Sequence, residues 1–331
     1  MQLYTPRAIA DFCARGEREA FGPLGQAPYF LVDLDADAGS ECAALTGWLR
    51  TLPCPVIGIG AADSVLAPAC DTVFTATQPI GTLQARIAAH PIAAMTLVQV
   101  LRLGEHLPPP AALTLESLAY ATLQAGPEFS AWHSQHVTTP RTPPSDPGPP
   151  VLIDAADGIL HLTLNRPSNF NAITVDMRDA LCEAFALAAL DNTVQRMRLC
   201  GAGRCFSVGG SLAEFGTTPD SATAHAVRSL RLPAASLLAA KKPLHVHVHG
   251  ACIGGGAELA AFADVLTAGT DAFFHLPELA MGLIPGAGGT VSFVRRLGRQ
   301  NAAKLILTGR RISYRNALNM GLVDAAETEV W

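Results

Sequence analysis

The chain has 331 residues, of which 49% are hydrophobic and 15% are charged, and its formal net charge is −5 at neutral pH. A chain of this length and apolar content can bury a large core, and two folded units are expected. The small acidic charge and the lack of a basic block exclude nucleic acid as an expected partner.

Neither a membrane anchor nor a disulfide framework is expected. The apolar stretches are interrupted by proline, glycine or charge, which favours a cytoplasmic protein with no membrane partner. Eight cysteines are scattered without a CxxC pair, and several lie in apolar segments. This distribution predicts buried free thiols and no zinc site.

The first half of the chain alternates short apolar runs with helical patterns. Residues 29–33, 55–60 and 72–76 are typical of buried strands, and residues 81–136 are largely helical in pattern, interrupted at Pro91 and at Pro108 to Pro110. We therefore predict an N-terminal unit (residues 1–137) of the α/β class with a mostly parallel sheet.

A proline-rich linker is predicted at residues 138–150, TTPRTPPSDPGPP, because six prolines preclude a helix or a central strand there. The second unit, residues 151–331, opens with the alternating strand ILHLTL. A helix is predicted from the N-cap Thr174 to Asp191, followed by a strand at 196–201, a helical stretch at 221–240 and the strand PLHVHVH. This order indicates repeated β-to-α crossovers.

The segment HGACIGGGAELAAFADV is the most informative in the chain. Three consecutive glycines, Gly254 to Gly256, join a predicted strand to a helix that carries Glu258. Glycines let the backbone approach a ligand closely, and exposed amides at a helix start can stabilise an oxyanion. The plainer alternative is a tight helix entry, whereas a dinucleotide site lacks the required G-x-G-x-x-G spacing.

Five motifs in order make residues 151–326 resemble the crotonase (enoyl-CoA hydratase/isomerase) superfamily. They are LTLNRPSNFNAIT, GRCFSVGGSLAEF, GACIGGGAELA, LPELAMGLIPGAGGT and LTGRRISYRNALNMGLVD. The resemblance implies a ββα spiral fold with an additional N-terminal α/β unit. It also implies a CoA thioester as substrate, no permanently bound cofactor and a homo-oligomer.

The family's catalytic positions can be carried over residue by residue. Its two oxyanion amides fall on Gly210 and Gly255, and its two acids fall on Glu258 and Glu278. The resemblance implies that Glu258 activates water and that Glu278 protonates the α-carbon. The implied contacts to the CoA thioester are Arg166, Asn171, Ala172, Ser207, Gly209, Gly210, Ser211 and Leu212.

Three features depart from the family pattern. Ser211 occupies a slot where many members have Asp. The strand histidines His245, His247 and His249 share one face and could bind a metal, although packed or hydrogen-bonded histidines are the better interpretation. The sequence also stops soon after GLVD, so the C-terminal helices are expected to be short or absent.

The N-terminal unit is predicted to be structural, and it is a candidate degenerate copy of the second unit. LRTLPCPVIGIGAADSVLAPACDTVFTAT parallels LLAAKKPLHVHVHGACIGGGAELAAFADVLTAGT in its order of helix end, strand, helix, Asp and strand. The first segment lacks the glycine-rich turn and its glutamate. Two ordinary β-α-β units are the alternative explanation.

Hydration of a 2-enoyl-CoA is the leading functional hypothesis, because two acids can provide both the base and the proton donor. An isomerase, which needs only one acid, and an acyl-CoA hydrolase are alternatives within the superfamily. A catalytically inactive acyl-CoA-binding or scaffolding protein is the alternative outside enzymes.

Overall fold

The structure is a computed structural model that describes residues 2–25, 27–39, 42–136 and 146–326. Most of the predicted linker, residues 138–145, lies outside the described residues. Where the chain is described again, Asn165 Nδ2 donates to the carbonyls of Pro147 and Pro149 at 3.2 and 3.1 Å. This side chain fixes the approach to the second unit.

The described residues of the N-terminal unit form a three-stranded sheet and six α-helices. Its strands are β1 (Phe30–Asp33), β2 (Val56–Ile59) and β3 (Thr72–Phe74). Its helices are α1 (Pro6–Arg15), α2 (Cys42–Thr51), α3 (Gly81–Ala89), α4 (Pro91–Gly104), α5 (Pro109–Gln124) and α6 (Pro127–His136). The sheet is parallel in the order β1-β2-β3, with Phe30 opposite Val56 and Ile57 opposite Thr72.

Prolines divide the helical part of this unit where the sequence predicts. Pro91 and Pro109 each stand in the first turn of a helix, where the missing N–H would have no intrahelical acceptor in any case. Helices α3, α4 and α5 are therefore separate rods that can pack at different angles.

The second unit contains nine strands and seven helices among the described residues. Its strands are β4 (Val151–Ala156), β5 (Ile159–Leu164), β6 (Arg196–Gly201), β7 (Leu244–Val248), β8 (Ala251–Ile253), β9 (Val265–Ala268), β10 (Phe273–His275), β11 (Ile312–Ser313) and β12 (Ala325–Ala326). Its helices are α7 (Val175–Leu190), α8 (Ser221–Leu230), α9 (Pro233–Ala240), α10 (Gly255–Ala260), α11 (Gly289–Leu297), α12 (Arg299–Thr308) and α13 (Tyr314–Asn319).

The strands of the second unit form two sheets. The larger has the order β12-β9-β7-β6-β5-β4 and is parallel except for the β4–β5 hairpin, and the smaller has the order β11-β10-β8. Along the chain, β7 joins the large sheet, β8 joins the small sheet and helix α10 follows. The same order recurs with β9 in the large sheet, β10 in the small sheet and then α11. Each of these two turns therefore adds a strand to both sheets and ends in a helix.

One hydrophobic core runs through both units. It joins buried residues of α4 and α5, such as Leu97 and Leu113, with Phe185 of α7, Phe293 of α11 and Ile306 of α12. A second, smaller core lies wholly within the N-terminal unit, around Phe30 and Leu49. Helices α4 and α5 thus bury their apolar faces against the second unit.

A buried ion-pair network also joins the two units. Asp71, at the start of β3, is almost fully buried and pairs with Arg102 of α4 and Arg299 of α12. Arg299 also donates to Glu105 at 3.0 Å and to the carbonyls of Cys70 and Pro68. Removing one member of such a network would leave a charge buried without its partner.

A recurring aspartate junction bears on the proposed copy. The Asp71 amide donates to the Val56 carbonyl and its carboxylate accepts from the Val56 amide, and Asp264 makes the same two bonds with Leu244. Asp324 makes them again with Leu266. The motif therefore joins parallel strands at three places in this chain, once in the N-terminal unit and twice in the second unit. A degenerate copy and two ordinary β-α-β units would both contain it.

No single helix among the described residues is long and apolar enough to cross a membrane. Helices α3 and α4 reach that length and composition only when they are joined across a bend of 103°. The apolar face of α4 is buried in the shared core, including Leu97 and Val98.

The shared core predicts that residues 151–331 expressed alone will melt at a lower temperature than the full chain. Loss of α4 and α5 would expose their apolar contact surface, and each square ångström of such surface costs about 25 cal/mol in water. The measurement is thermal unfolding followed by circular dichroism, together with binding of a hydrophobic dye. A monodisperse fragment with an unchanged melting temperature would contradict the shared core.

Candidate active site

The triple glycine connects the small sheet to helix α10. Gly254 has φ of +49°, and a Cβ on it would lie 2.9 Å from Glu278 Oε1, so both its backbone and its surroundings require glycine. The turn sends the chain directly from β8 into α10. As a result, Glu258 stands in the first turn of α10, two residues after the last glycine.

The loop at residues 207–211 lies directly against this turn. Isolated bridges pair Ser207 with Cys252 and Gly210 with Ile173. Gly209 has φ of +85°, and a Cβ there would lie 2.6 Å from the Ile253 carbonyl oxygen. Only a glycine at this position allows the two backbones to come so close.

This close approach brings together the amides of Gly210 and Gly255. A Cβ built on Gly255 would lie 3.8 Å from the Gly210 nitrogen. In the described parts of the chain, neither amide N–H donates to a protein acceptor. Both glycines line a cavity of about 650 Å³, so two amides without protein acceptors face a space that could hold a ligand.

Glu258 lies in the wall of this cavity and is 2% exposed. Its Oε2 accepts hydrogen bonds from the amides of Ala287 at 2.7 Å and Gly289 at 2.8 Å. Burial raises the pKa of Glu258 to about 7, although these amide donors oppose the shift. A carboxyl group with this pKa can accept a proton near neutral pH.

Glu278 lies across the same cavity, in the 3-10 turn Glu278–Met281 that follows Pro277. Its side chain is buried, and its Oε2 has no hydrogen-bond partner among the described residues. Burial, and then the charge of Glu258, raise its pKa well above the usual range. The two amide donors therefore favour the charged form of Glu258, whereas the charge of Glu258 disfavours ionisation of Glu278.

The residues predicted to contact the CoA thioester fall into two groups. Those that line the cavity are Ala172, Gly209, Gly210, Ser211 and Leu212. Arg166, Asn171 and Ser207 lie outside its lining. The fully buried Asn171 side chain bonds to the Arg166 amide and to two carbonyls, and Ser207 Oγ donates to the Asn171 carbonyl at 2.7 Å. These polar groups hold the loops in shape.

Part of the cavity wall comes from residues that the sequence analysis did not single out. Tyr120 and Gln124 of α5 line it, and the Arg228 guanidinium of α8 lies 4.6 Å from the centre of the Tyr120 ring. Arg228 also donates to Gln124 Oε1 at 3.2 Å. The N-terminal unit therefore forms one side of the cavity.

A third buried glutamate, Glu116, lies one helical turn before Tyr120 and bonds to the amides of Gly288 and Thr290. The sequence contains one indication that Glu116 is buried and hydrogen-bonded. Glu116 is the only charged residue in helix α5, PPAALTLESLAYATLQ, and it is 1% exposed. A lone acid in an apolar helix needs a buried set of donors.

The three strand histidines do not gather around a common point. His247 Nδ1 bonds to Thr267 Oγ1 at 3.0 Å, and His249 Nε2 bonds to the Gly203 carbonyl at 3.0 Å. Over the ranges that the structure covers, no three His, Cys, Asp or Glu side chains are grouped so that they could hold a metal ion.

Comparison with known proteins identifies relatives of the second unit. The enoyl-CoA hydratase/isomerase family model matches residues 154–330. The 2,3-dehydroadipyl-CoA hydratase of Escherichia coli is 36% identical over 174 residues, which cover 53% of this chain and 68% of that enzyme. The mitochondrial enoyl-CoA hydratase of Pongo abelii is 35% identical over 165 residues, which cover 49% of this chain and 56% of that enzyme.

Solved structures give the same result and confirm the predicted fold. An enoyl-CoA hydratase from Thermoplasma volcanium is 30% identical with a TM-score of 0.50, and the match covers 54% of this chain and 72% of that chain. Residues before 154, including Glu116 and Tyr120, lie outside the family match. From residue 154 onward, sequence and fold agree, and the chain belongs to the enoyl-CoA hydratase/isomerase family.

Proposed function

We propose that the protein adds water to a 2-enoyl-CoA thioester. The observation that carries this proposal is the arrangement of two buried carboxyl groups, Glu258 and Glu278, around one cavity that also contains the free amides of Gly210 and Gly255. The relatives named above are hydratases of acyl-CoA thioesters, which supports the same chemistry here.

The two amides are proposed to bind the thioester carbonyl oxygen. As water attacks the β-carbon, the π electrons move toward that oxygen and form an enolate. Two preorganised N–H donors stabilise this charge, and removing one such donor typically costs about 3 to 4 kcal/mol of transition-state stabilisation. The glycines are therefore proposed to lower the barrier by holding the amides of residues 210 and 255 in place.

The two glutamates are proposed to divide the proton transfers. Ionised Glu258 takes a proton from water as the water oxygen bonds to the β-carbon. Protonated Glu278 then delivers a proton to the α-carbon as the enolate collapses. The surroundings of the two groups support this assignment, because amide donors oppose the rise in the pKa of Glu258 and the charge of Glu258 raises that of Glu278. Return of the proton from Glu258 to Glu278 restores the site.

The substrate is proposed to enter along the loops at residues 169–174 and 209–212, with Ala172, Ser211 and Leu212 next to the thioester. Arg166, Asn171 and Ser207 are proposed to act from behind these loops by fixing their backbone. Assembly into a homo-oligomer and a cytoplasmic location stay predictions.

Incubation with a panel of 2-enoyl-CoAs tests the proposed function. We expect a mass gain of one water with a parallel loss of absorbance from the conjugated thioester. Loss of the acyl chain would indicate a hydrolase instead, and a shifted double bond without a mass change would indicate an isomerase. Binding without any conversion would indicate an acyl-CoA-binding protein.

The paired acids predict a bell-shaped pH dependence of kcat/KM, with an acidic limb near the Glu258 pKa of about 7. Below this pH the base is protonated and the rate falls, and the alkaline limb reports Glu278.

Glu258→Gln and Glu278→Gln should each lower kcat by about 10² or more. Full hydration by Glu278→Gln would refute the two-acid assignment.

The close approach at Gly209 predicts that Gly209→Ala lowers kcat by about 10² or more, because the added methyl group pushes the two oxyanion loops apart. Gly321→Ala is the matched control, since Gly321 has φ of +79° but no atom within 4 Å of an added Cβ. The control should lose about 1 to 2 kcal/mol of stability with its activity kept. Equal activity of the two variants would contradict the proposed oxyanion site.

A further inference from the structure

Residues 286–290 lead into α11 and include its first two residues, Gly289 and Thr290. Four successive amides of this segment donate to Glu258 and Glu116. The amides of Ala287 and Gly289 donate to Glu258 Oε2. This segment has no room to move toward Glu258, because a Cβ on Gly289 would lie 2.7 Å from Glu258 Cγ. The position of Glu258 and the path of this segment therefore determine each other.

The amides between and after these two point to the other unit. Gly288 N donates to Glu116 Oε1 at 2.7 Å, and Thr290 N donates to Glu116 Oε2 at 2.8 Å. Thr290 Oγ1 donates to the same Oε2 at 2.6 Å. Both oxygens of the buried Glu116 are thus used, and successive amides along residues 287–290 alternate between Glu258 and Glu116.

Because the same segment donates to both glutamates, a shift of its backbone at Glu116 would also move the amides that contact Glu258. Gly288 has φ of +109°, and a Cβ there would lie 2.5 Å from the Phe262 ring, so the segment follows one narrow path. Without Glu116, the Gly288 and Thr290 amides would be buried with no acceptor. The peptides would rotate to find one, and this rotation would turn the Ala287 and Gly289 amides away from Glu258.

Resting on the proposed function, we propose that Glu116 is a positioning residue for the hydration site. It holds residues 286–290 so that the amides of Ala287 and Gly289 remain on Glu258, and it thereby fixes the orientation of the proposed base. The N-terminal unit, which lies outside the family match, thus contributes to catalysis as well as to the core.

A kinetic cycle of Glu116→Gln, Glu258→Gln and the double variant tests this proposal. The Gln variant keeps the shape of the side chain but places an NH₂ group against a backbone N–H. We expect Glu116→Gln to lower kcat about tenfold or more, with little change in KM, and to add no further loss in the Glu258→Gln background. Thr290→Val, which removes one of the three bonds, should lower kcat about threefold.

Glu128→Gln is the matched control. Glu128 lies in the same unit and accepts from two backbone amides, Ile92 at 2.7 Å and Ala93 at 3.0 Å, but it makes no bond to residues 286–290. Its variant should keep kcat within about twofold of the original protein. A fall in kcat equal to that of Glu116→Gln would reduce Glu116 to a general stabilising role and overturn the proposal.

Hydrogen exchange supplies a readout that does not depend on activity. Amides of residues 286–290 should exchange faster in Glu116→Gln than in Glu128→Gln when each variant is measured at the same interval below its own melting temperature. Equal exchange in the two variants, or a full kcat loss on top of Glu258→Gln, overturns the positioning role. If the original protein hydrates no enoyl thioester, the proposed function fails, and the exchange contrast still decides whether Glu116 holds the segment.

Discussion

Successive amides of residues 287–290 donate alternately to two buried glutamates that come from different units of the chain. Glu258 lies at the end of the triple-glycine turn and Glu116 lies in helix α5 of the N-terminal unit. A buried carboxyl group needs hydrogen-bond partners, and here one short peptide segment donates to Glu258 Oε2 and to both oxygens of Glu116. Helix α5 also contributes Tyr120 and Gln124 to the cavity wall, so this side of the cavity depends on how α5 packs against the second unit.

The same demand for close packing explains the glycines. At Gly209 any side chain would meet the Ile253 carbonyl, at Gly254 it would meet the Glu278 carboxyl group, and both glycines have positive φ. The resulting contact places the amides of Gly210 and Gly255 side by side. The proposed oxyanion donors and the carboxyl groups therefore depend on backbone geometry that few substitutions would preserve.

The sequence predicted the parts of this arrangement that are local. Short apolar runs and apolar alternation indicated strands, and the prolines at Pro91 and Pro108 to Pro110 indicated breaks that the structure places between helices. The predicted N-cap Thr174 accepts from the Met177 amide at the start of α7. The resemblance to the family identified the segments around Glu258 and Glu278. Membership in the family and its fold are confirmed.

Contacts between distant segments could not be predicted in the same way. Glu116 and Gly288 are 172 positions apart, and nothing near Glu116 indicates that its partner is a backbone segment of the other unit. Asn171 shows the reverse difficulty. A polar residue in a loop motif suits a ligand contact, yet its side chain donates to the carbonyls of Ala202 and Cys205 in the loop that follows β6. The spacing of residues in a motif can be taken from the sequence, but the direction in which a side chain points depends on the folded chain.

The most direct measurement is the structure of the protein bound to an unreactive thioester such as a 3-ketoacyl-CoA. The account predicts that the thioester oxygen lies about 2.7 to 3.1 Å from both the Gly210 and the Gly255 nitrogen, with the β-carbon facing Glu258 and Glu278. A thioester oxygen bound away from these two amides, with the carboxyl groups out of reach of the α- and β-carbons, would contradict it.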